Sequence, residues 1–236
     1  DGIRASGASR GLGDVYKRQL HIMLEEVGLD YKVHPINIGK GEQFDGSFLR
    51  LSPNNRIPAM VDTDGPEGKS ISLFESGAML TYLADKVGKF LPSKGEARYT
   101  TIQWLMWQMG GVGPMFGQSN HFSHYAPEKI DYAIDRYNNE CRRLYNVMDK
   151  RLNEVDFLAG DYSIADIATF PWARGYERRG VEILEFPSVS RWLTEIENRP
   201  AVMRGMKVLT NLREENKKFT DEEREVLFGA TQFKKR

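Results

Sequence analysis

Residues 52–61 read SPNNRIPAMV and residues 70–78 read SISLFESGA, and these two neighbouring segments decide the fold. The first places the Ile57-Pro58 bond before a short apolar run, and X-Pro bonds are the only peptide bonds with an appreciable cis population. A cis turn there would direct the backbone groups of Ile57 outward, where an extended ligand can pair with them as an added strand. This segment therefore predicts a strand whose edge is open to a peptide-like ligand.

The second segment predicts a strand that leads directly into a helix, with Glu75 and Ser76 at the junction. A helix N-terminus presents unpaired backbone N–H groups and the positive end of the helix dipole, which together suit a carboxylate. The Ser76 hydroxyl adds a donor, and the Glu75 carboxylate can meet an ammonium. The junction thus predicts a site for an α-amino acid head group. Taken alone, Glu-Ser is usually a helix cap and Ile-Pro usually a turn; the order and spacing of the two favour a ligand site.

Composition narrows the possible functions. The 236 residues carry 33 basic and 33 acidic side chains, which argues against nucleic acid or an anionic membrane as a general partner. No apolar run approaches the roughly 20 residues of a membrane helix, and the first residues lack a signal-peptide pattern. Cys141 is the only cysteine, so an internal disulfide and a CxxC pair are excluded; the four scattered histidines predict no metal site. We expect a cytoplasmic protein.

The order of elements predicts two domains. Residues 20–92 show helix-strand-helix-strand-strand-helix signals, which is the order of a thioredoxin-like α/β domain without its first strand. Residues 96–236 predict an all-helical domain with a charged tail, in which Thr220 begins one last short helix. Residues 163–166, SIAD, fit a capping box in which Asp replaces the preferred Glu or Gln. The segments predicted as elements are 20–27, 31–38, 47–51, 59–61, 70–73, 76–87, 98–109, 127–155, 163–178 and 189–198.

Several motifs, in this order, resemble those of the cytosolic glutathione transferases over roughly residues 20–208. The strongest are SPNNRIPA at 52–59, LFESGA at 73–78 and DYSIAD at 161–166. Within that family the chain looks most like the bacterial Nu class, on the motifs GKGEQF at 39–44 and YAIDRY at 132–137, together with residues 103–115. The motifs are numerous and ordered, so the resemblance is specific.

The resemblance implies a set of glutathione-binding residues. Ile57 would give backbone hydrogen bonds to the cysteinyl part of glutathione, and Pro58 would be cis. Glu75 and Ser76 would hold the γ-glutamyl group, while Gln43 would contact glutathione along the groove.

The helical domain is expected to add Arg136, which is similar to an arginine that reaches glutathione in the Nu class. Its alternative is a solvated helix face, which is the usual role of a charged helical residue.

The resemblance also implies an activity. Proteins like the Nu class form homodimers and reduce disulfides with glutathione as cosubstrate, without a metal. The second substrate would be a small disulfide or electrophile. The thiolate of bound glutathione would be the nucleophile, and the protein would lower the pKa of that thiol and align it for attack. Cys141 lies mid-helix at an apolar position, which predicts a buried small residue rather than a reactive one.

Residues 1–19 depart from the family pattern. Their first part, DGIRASGASRGLG, is too rich in Gly, Ser and Arg for a central strand, and DVYKRQ at 14–19 resembles translated adapter sequence. We therefore expect the first strand to be missing or replaced and the family match to begin near Leu20. We interpret residues 1–19 as a foreign segment, either a fusion scar or an assembly artefact. No catalytic residue is assigned, because Ser6 and Ser9 lie in the right region without a supporting motif.

Two other functions stay open. Residues 7–13, GASRGLG, and the Tyr82/Lys86 pair resemble parts of a short-chain dehydrogenase, although no apolar strand precedes the glycine turn as a dinucleotide site requires. The second alternative is a non-enzymatic glutathione-transferase-like module for dimerisation or binding. One cluster could line an apolar pocket or belong to the helical core: Trp104, Trp107, Met109, Met115, Phe116 and Phe122.

Overall fold

The structure, a computed structural model, describes residues 2–8, 13–210 and 219–234. Packing divides the chain into two compact units. The first unit combines Asp1–Met79 with Arg204–Arg236, and the second is Leu80–Met203.

The first unit is built on a four-stranded mixed sheet of order β2-β1-β3-β4. Strand β1 runs parallel to β2 and antiparallel to β3, and β3 and β4 form an antiparallel hairpin. This small sheet with its helices confirms the thioredoxin-like α/β prediction. The elements of this unit, with α3 beginning in it, are β1 (Ile3–Ala8), α1 (Gly13–Val27), β2 (Tyr31–Ile36), α2 (Gly46–Leu49), β3 (Ala59–Asp62), β4 (Ile71–Phe74), α3 (Ser76–Val87) and α10 (Asp221–Phe228).

The expectation of a missing first strand is wrong, because β1 occupies a central position between β2 and β3. Ile3 and Ala5, two positions apart on the strand, are both buried. Ser6 continues the pairing with its side chain: its hydroxyl donates to the Ala59 carbonyl at 3.0 Å and accepts from the Ala59 N–H at 2.6 Å. Strand β1 thus forms a central strand despite its polar composition, because it pairs with β2 and β3. Whether residues 1–19 are foreign stays a prediction.

Helix α1 packs against β1, and its Leu20, Met23 and Leu24 are fully buried. It begins at Gly13, seven residues before the predicted start at Leu20. The returning chain packs closely against it, since a side chain at Gly205 would meet the Ile22 backbone at 2.7 Å. The residues after Met203 therefore belong to the same unit as α1.

The second unit is all-helical, as predicted, and its helices lie within one to five residues of most predicted bounds. Turns of π-helix at Gln108–Val112 and His121–Tyr125 flank α5. The first lies at the predicted end of the helix 98–109, and the second lies where no element was predicted. Pro114 lacks an N–H at the start of α5, which favours such a wider turn before it. The helices are α4 (Gly95–Trp107), α5 (Gly113–Asn120), α6 (Asp131–Glu154), α7 (Ile164–Ala173), α8 (Pro187–Glu197) and α9 (Pro200–Lys207), which ends in the first unit.

The predicted capping box at α7 is confirmed and is larger than the motif alone. The buried Asp166 carboxylate accepts from the Ser163 N–H at 3.0 Å and from the Ser163 hydroxyl at 3.1 Å. Its other oxygen accepts from the Leu158 N–H at 3.0 Å and the Trp192 indole N–H at 2.9 Å. Burial is the largest influence on this carboxyl and raises its pKa to about 6, against the opposing effect of these donors. Asp166 therefore ties three segments of the helical unit together.

Within the described ranges, no helix is both long and apolar enough to cross a membrane. The same residues contain no cluster of His, Cys, Asp and Glu suited to a metal ion.

Candidate functional site

The loop before β3 presents the backbone of Ile57. The Ile57-Pro58 bond is cis, as expected. Ser52, itself buried, donates from its hydroxyl to the Arg56 carbonyl at 2.8 Å, and the Asn55 N–H donates to the Ser52 carbonyl at 2.9 Å. The Ile57 side chain is buried, yet no hydrogen bond within the described part of the chain engages its backbone. An N–H and a carbonyl are thus left for an extended ligand.

The junction between β4 and α3 has an unusual backbone. Glu75 adopts a φ of 68°, the left-handed region that residues with a Cβ rarely occupy. Strain of this kind concentrates at ligand and active sites. The Glu75 carboxylate is exposed and accepts from the Asn54 side-chain amide at 3.3 Å, while Ser76 is buried and begins α3. Asn54 thereby connects the Ile57 loop to the Glu75 junction, so the two predicted halves of the site meet in one unit.

Gln43 lies in the short 3-10 turn Glu42–Phe44 of the same unit and is only 3% exposed. Its Oε1 is buried and has no hydrogen-bond partner within the described part of the chain. Leaving a buried acceptor unpaired costs roughly 1–3 kcal/mol. That cost is removed if a ligand supplies a donor at this position.

Arg136 lies in the other unit, on α6, with 55% of its side chain exposed. Its guanidinium is 3.8 Å from the Glu140 carboxylate, a weak surface ion pair that leaves most of its donors in solvent. The local structure of Arg136 therefore fits a solvated helix face as well as it fits a contact with glutathione. The assignment of Arg136 to the site stays a prediction.

Two residues near the N-terminus were not assigned a role from the sequence. Ser6 is unsuited to activate a thiol, because its hydroxyl is engaged by the Ala59 backbone in both directions. Tyr16, on α1, lies within the electrostatic influence of the site: burial is the main cause that raises its pKa, the Glu75 carboxylate raises it further, and Arg56 opposes. Its hydroxyl therefore stays protonated at neutral pH and can act as a hydrogen-bond donor. From the sequence Tyr16 was assigned no role, because residues 14–19 resemble translated adapter sequence. Ser9 lies outside the described residues.

Cys141 and the predicted apolar cluster belong to the helical unit. Cys141 is fully buried, and burial raises the pKa of its thiol to about 11. Phe116 is also fully buried and stacks on Tyr145 at 5.1 Å between ring centroids, which makes it core. The other five members of the cluster are partly exposed, so a pocket role stays open for them.

Chemically, the first unit offers a complementary site for a zwitterionic peptide. The Ile57 backbone can pair with an extended chain, the N-terminus of α3 can receive a carboxylate, and Glu75 can receive an ammonium. The buried Oε1 of Gln43 can accept a hydrogen bond from a donor on the ligand. None of these groups is a thiol.

Comparison with known protein families gives two matches. The family described as "Glutathione S-transferase, N-terminal domain" matches residues 11–85, and "Glutathione S-transferase, C-terminal domain" matches residues 110–200. The first match begins at residue 11 rather than near Leu20 as expected. It therefore includes Tyr16 and all of α1.

Among curated proteins, two from Escherichia coli strain K12 are similar over most of their length. "Disulfide-bond oxidoreductase YfcG" is 49% identical over 185 residues, with 78% of this chain and 86% of that protein covered. "Disulfide-bond oxidoreductase YghU" is 43% identical over 209 residues, with 82% and 72% covered.

Solved structures share the fold at the level of both units. A glutathione transferase family member from Pseudomonas fluorescens, solved with two glutathione bound, is 44% identical with a TM-score of 0.81, over 87% of this chain and 92% of that one. A glutathione transferase from Pseudomonas putida, solved with one glutathione disulfide per subunit, is 42% identical with a TM-score of 0.81, over 88% and 91%.

Proposed function

The chain belongs to the glutathione S-transferase family, and from this premise we propose that it binds glutathione at the Ile57 loop and the Glu75–Ser76 junction. The observation that carries the proposal is the connection of these two elements through Asn54. Within the described ranges the Ile57 backbone has no hydrogen-bond partner, and Glu75 adopts a φ of 68°. An extended ligand would give the Ile57 backbone hydrogen-bond partners, and backbone strain such as that at Glu75 is typical of ligand sites.

Each proposed contact follows from a group in the structure. The Ile57 N–H and carbonyl pair with the cysteinyl backbone of glutathione beyond the cis Pro58. Glu75 receives the γ-glutamyl ammonium, and Ser76 with the N-terminus of α3 receives the γ-glutamyl carboxylate. The Gln43 Oε1 accepts a backbone N–H of the ligand.

Arg136 is kept in this proposal as a further contact from the helical unit. Its donors are largely solvated, so its contribution to affinity is expected to be the smallest of the set.

The proposed reaction is disulfide reduction by glutathione. The thiolate of bound glutathione attacks one sulfur of a small disulfide, which forms a mixed disulfide and releases the other half as a thiolate. A second glutathione thiolate attacks the glutathione sulfur of that mixed disulfide and releases the remaining thiolate with glutathione disulfide. Relatives named as disulfide-bond oxidoreductases, and structures solved with two glutathione or one glutathione disulfide, support this chemistry.

Holding the thiol in place is the contribution asked of the protein. Alignment turns the encounter of thiolate and disulfide into an effectively intramolecular step. The thiol-activating donor is unassigned. We also propose that the protein is a cytoplasmic homodimer without a resident metal.

A steady-state assay tests the activity. The protein is mixed with bis(2-hydroxyethyl) disulfide and reduced glutathione, and the formation of glutathione disulfide is followed against buffer and against heat-inactivated protein. The proposal predicts a rate above the uncatalysed exchange that saturates with glutathione. A folded protein that binds glutathione without exceeding the uncatalysed rate would reject the activity and favour the non-enzymatic module.

A further inference from the structure

The C-terminal residues 219–233, here called the clasp, pack against the loop that presents Ile57. Helix α10 of the clasp lies on the 3-10 turn Ile38–Lys40. Its Leu227 packs against a buried apolar cluster of the first unit, made of Ile38, Phe48, Ile57 and Ala59. Two members of that cluster, Ile57 and Ala59, flank the cis proline, so the clasp packs against the cluster that includes the proposed ligand-presenting loop.

A polar contact joins the end of the clasp to the same loop. The Arg56 guanidinium donates from Nη1 to the Gln232 Oε1 at 2.8 Å and to the Asn55 Oδ1 at 2.7 Å. Gln232 is held in turn, because its Nε2 donates to the Val226 carbonyl. Arg56 is therefore fixed between its own loop and the clasp.

Hydrogen bonds within the clasp hold α10 and the 3-10 turn after it together. Thr220 caps α10 in a capping box with Glu223, whose backbone N–H donates to the Thr220 hydroxyl at 3.2 Å. The Glu225 carboxylate accepts from the Thr231 N–H at 3.1 Å and from its hydroxyl at 3.2 Å. The 3-10 turn that carries Gln232 is thereby fastened to α10, and Leu227 and Gln232 act from one rigid piece.

The approach of α10 to the sheet unit is close. A side chain at Gly39 would meet the Glu223 carboxylate at 3.2 Å, and one at Gly41 would meet Val226 at 3.8 Å. Both glycines lie in the turn that leads to Gln43, another proposed contact of glutathione. The clasp therefore touches the two backbone segments on which the proposed site depends.

We propose that Leu227 and Gln232 are positioning residues that hold the loop Arg56–Pro58 in its ligand-presenting conformation and thereby set the affinity for glutathione. This inference rests on the proposed function. Among the described residues the Ile57 backbone has no hydrogen-bond partner, so its position depends on what packs against its side chain and what binds its neighbour Arg56. Leu227 packs against the cluster that contains the Ile57 side chain, and Gln232 accepts a hydrogen bond from Arg56.

The test uses the full chain with paired substitutions. Leu227→Ala removes the apolar contact, and Leu227→Met is the conservative variant expected to restore it. Gln232→Leu removes the acceptor for Arg56, and it is also made in an Arg56→Leu background. Phe233→Ala is the matched control, since Phe233 is adjacent and 83% exposed.

Two readouts are taken for each variant: glutathione affinity by calorimetry, and hydrogen exchange of the peptide 52–60. That peptide reports the Asn55 and Ala59 amides, which are hydrogen-bonded in the structure.

Leu227→Ala should weaken affinity about fivefold or more, as loss of a partly buried leucine contact implies, and Gln232→Leu about twofold. Exchange of the peptide should accelerate in both, while Leu227→Met and Phe233→Ala match the wild type. In the Arg56→Leu background, Gln232→Leu should have no further effect on exchange.

The outcomes separate this inference from the proposed function. A wild type that binds glutathione, together with folded Leu227→Ala and Gln232→Leu variants of unchanged affinity and exchange, overturns the clasp and leaves the proposed function standing. A wild type that binds no glutathione overturns the proposed function and with it the affinity role of the clasp. Should Leu227→Ala fail to fold by circular dichroism, the surface variant Gln232→Leu decides alone.

Discussion

Two helix N-termini in this chain carry a serine and a carboxylate, and they use them in opposite ways. At α7, Ser163 and Asp166 are buried, and every donor aimed at the carboxylate comes from the protein itself. At α3, the Glu75 carboxylate is exposed, and its backbone adopts a left-handed φ of 68°. At α7 the carboxylate thus completes the fold, whereas at α3 the Glu75 carboxylate is exposed to solvent beside a strained backbone.

The comparison separates a stabilising device from a binding device. Groups that satisfy each other contribute to the free energy of unfolding and have nothing left to offer a ligand. Groups that are strained or unpaired lower stability and gain their partners on binding. Substitutions at the two junctions should therefore change different measurements.

The largest effect is expected at the α7 junction. Asp166→Ala leaves the Leu158 N–H and the Trp192 indole N–H buried without an acceptor, so we expect a loss of about 3 kcal/mol or more in the free energy of unfolding. Urea denaturation measures it. The matched control Asp161→Ala, at an exposed position, should stay within about 0.5 kcal/mol of the wild type. A loss at Asp166 no larger than that of the control would contradict the assigned network.

The second prediction concerns Glu75, where affinity and stability should move in opposite directions. Glu75→Gly removes the proposed partner of the ligand ammonium and should weaken glutathione binding by roughly 1–3 kcal/mol. It also relieves the positive φ and should raise stability by up to about 1 kcal/mol. Calorimetry and denaturation together test both parts.

Glu67 offers a close control for that experiment, because it is also an exposed glutamate with a positive φ, 58°. Glu67→Gly should stabilise the protein in the same way and leave glutathione affinity unchanged. Equal affinity losses at Glu67 and Glu75 would show that the effect is not specific to the proposed site.

A smaller effect is expected from substituting Ser76 at the start of α3 and Ser163 at the start of α7. Ser76→Ala should weaken glutathione binding by about 1 kcal/mol through loss of a hydroxyl donor. Ser163→Ala should instead lower the free energy of unfolding by about 1 kcal/mol as an N-cap loss, with unchanged affinity. The assignment of Ser76 fails if both variants change only stability.

The smallest effect is expected from Cys141. Its thiol is buried and its pKa is raised to about 11, so almost none of it is thiolate at neutral pH. Cys141→Ser should therefore leave the rate of disulfide reduction unchanged in the steady-state assay. Loss of the rate in a folded variant would reject bound glutathione as the source of the nucleophile.

Local patterns predicted much of the fold and of the site. The start of α3 at Ser76, the capping box at Ser163 and the start of the last helix after Thr220 all depend on residues close in sequence, and all three are confirmed. The cis bond at Ile57-Pro58 and the hairpin after it are confirmed as well. These features could be predicted because their causes lie within a few residues.

Features that depend on distant residues were missed or wrong. Strand β1 has a poor composition for a central strand, and it is stabilised by partners on β3, among them the Ser6–Ala59 pair 53 residues apart. The contact of Leu227 with the Ile57 cluster likewise follows from packing and has no local signature. The π-helical turn before α5 contains Gly110 and Gly111 and is followed by Pro114, and hydrophobic periodicity gives no signal for such a turn.

Calorimetric titration of the full chain with reduced and then oxidised glutathione tests the central claim most directly. We expect saturable binding by the wild type, which Glu75→Gly weakens and Glu67→Gly does not. A folded wild type that takes up neither form of glutathione would contradict the claim that the Ile57 loop and the Glu75–Ser76 junction form a glutathione site.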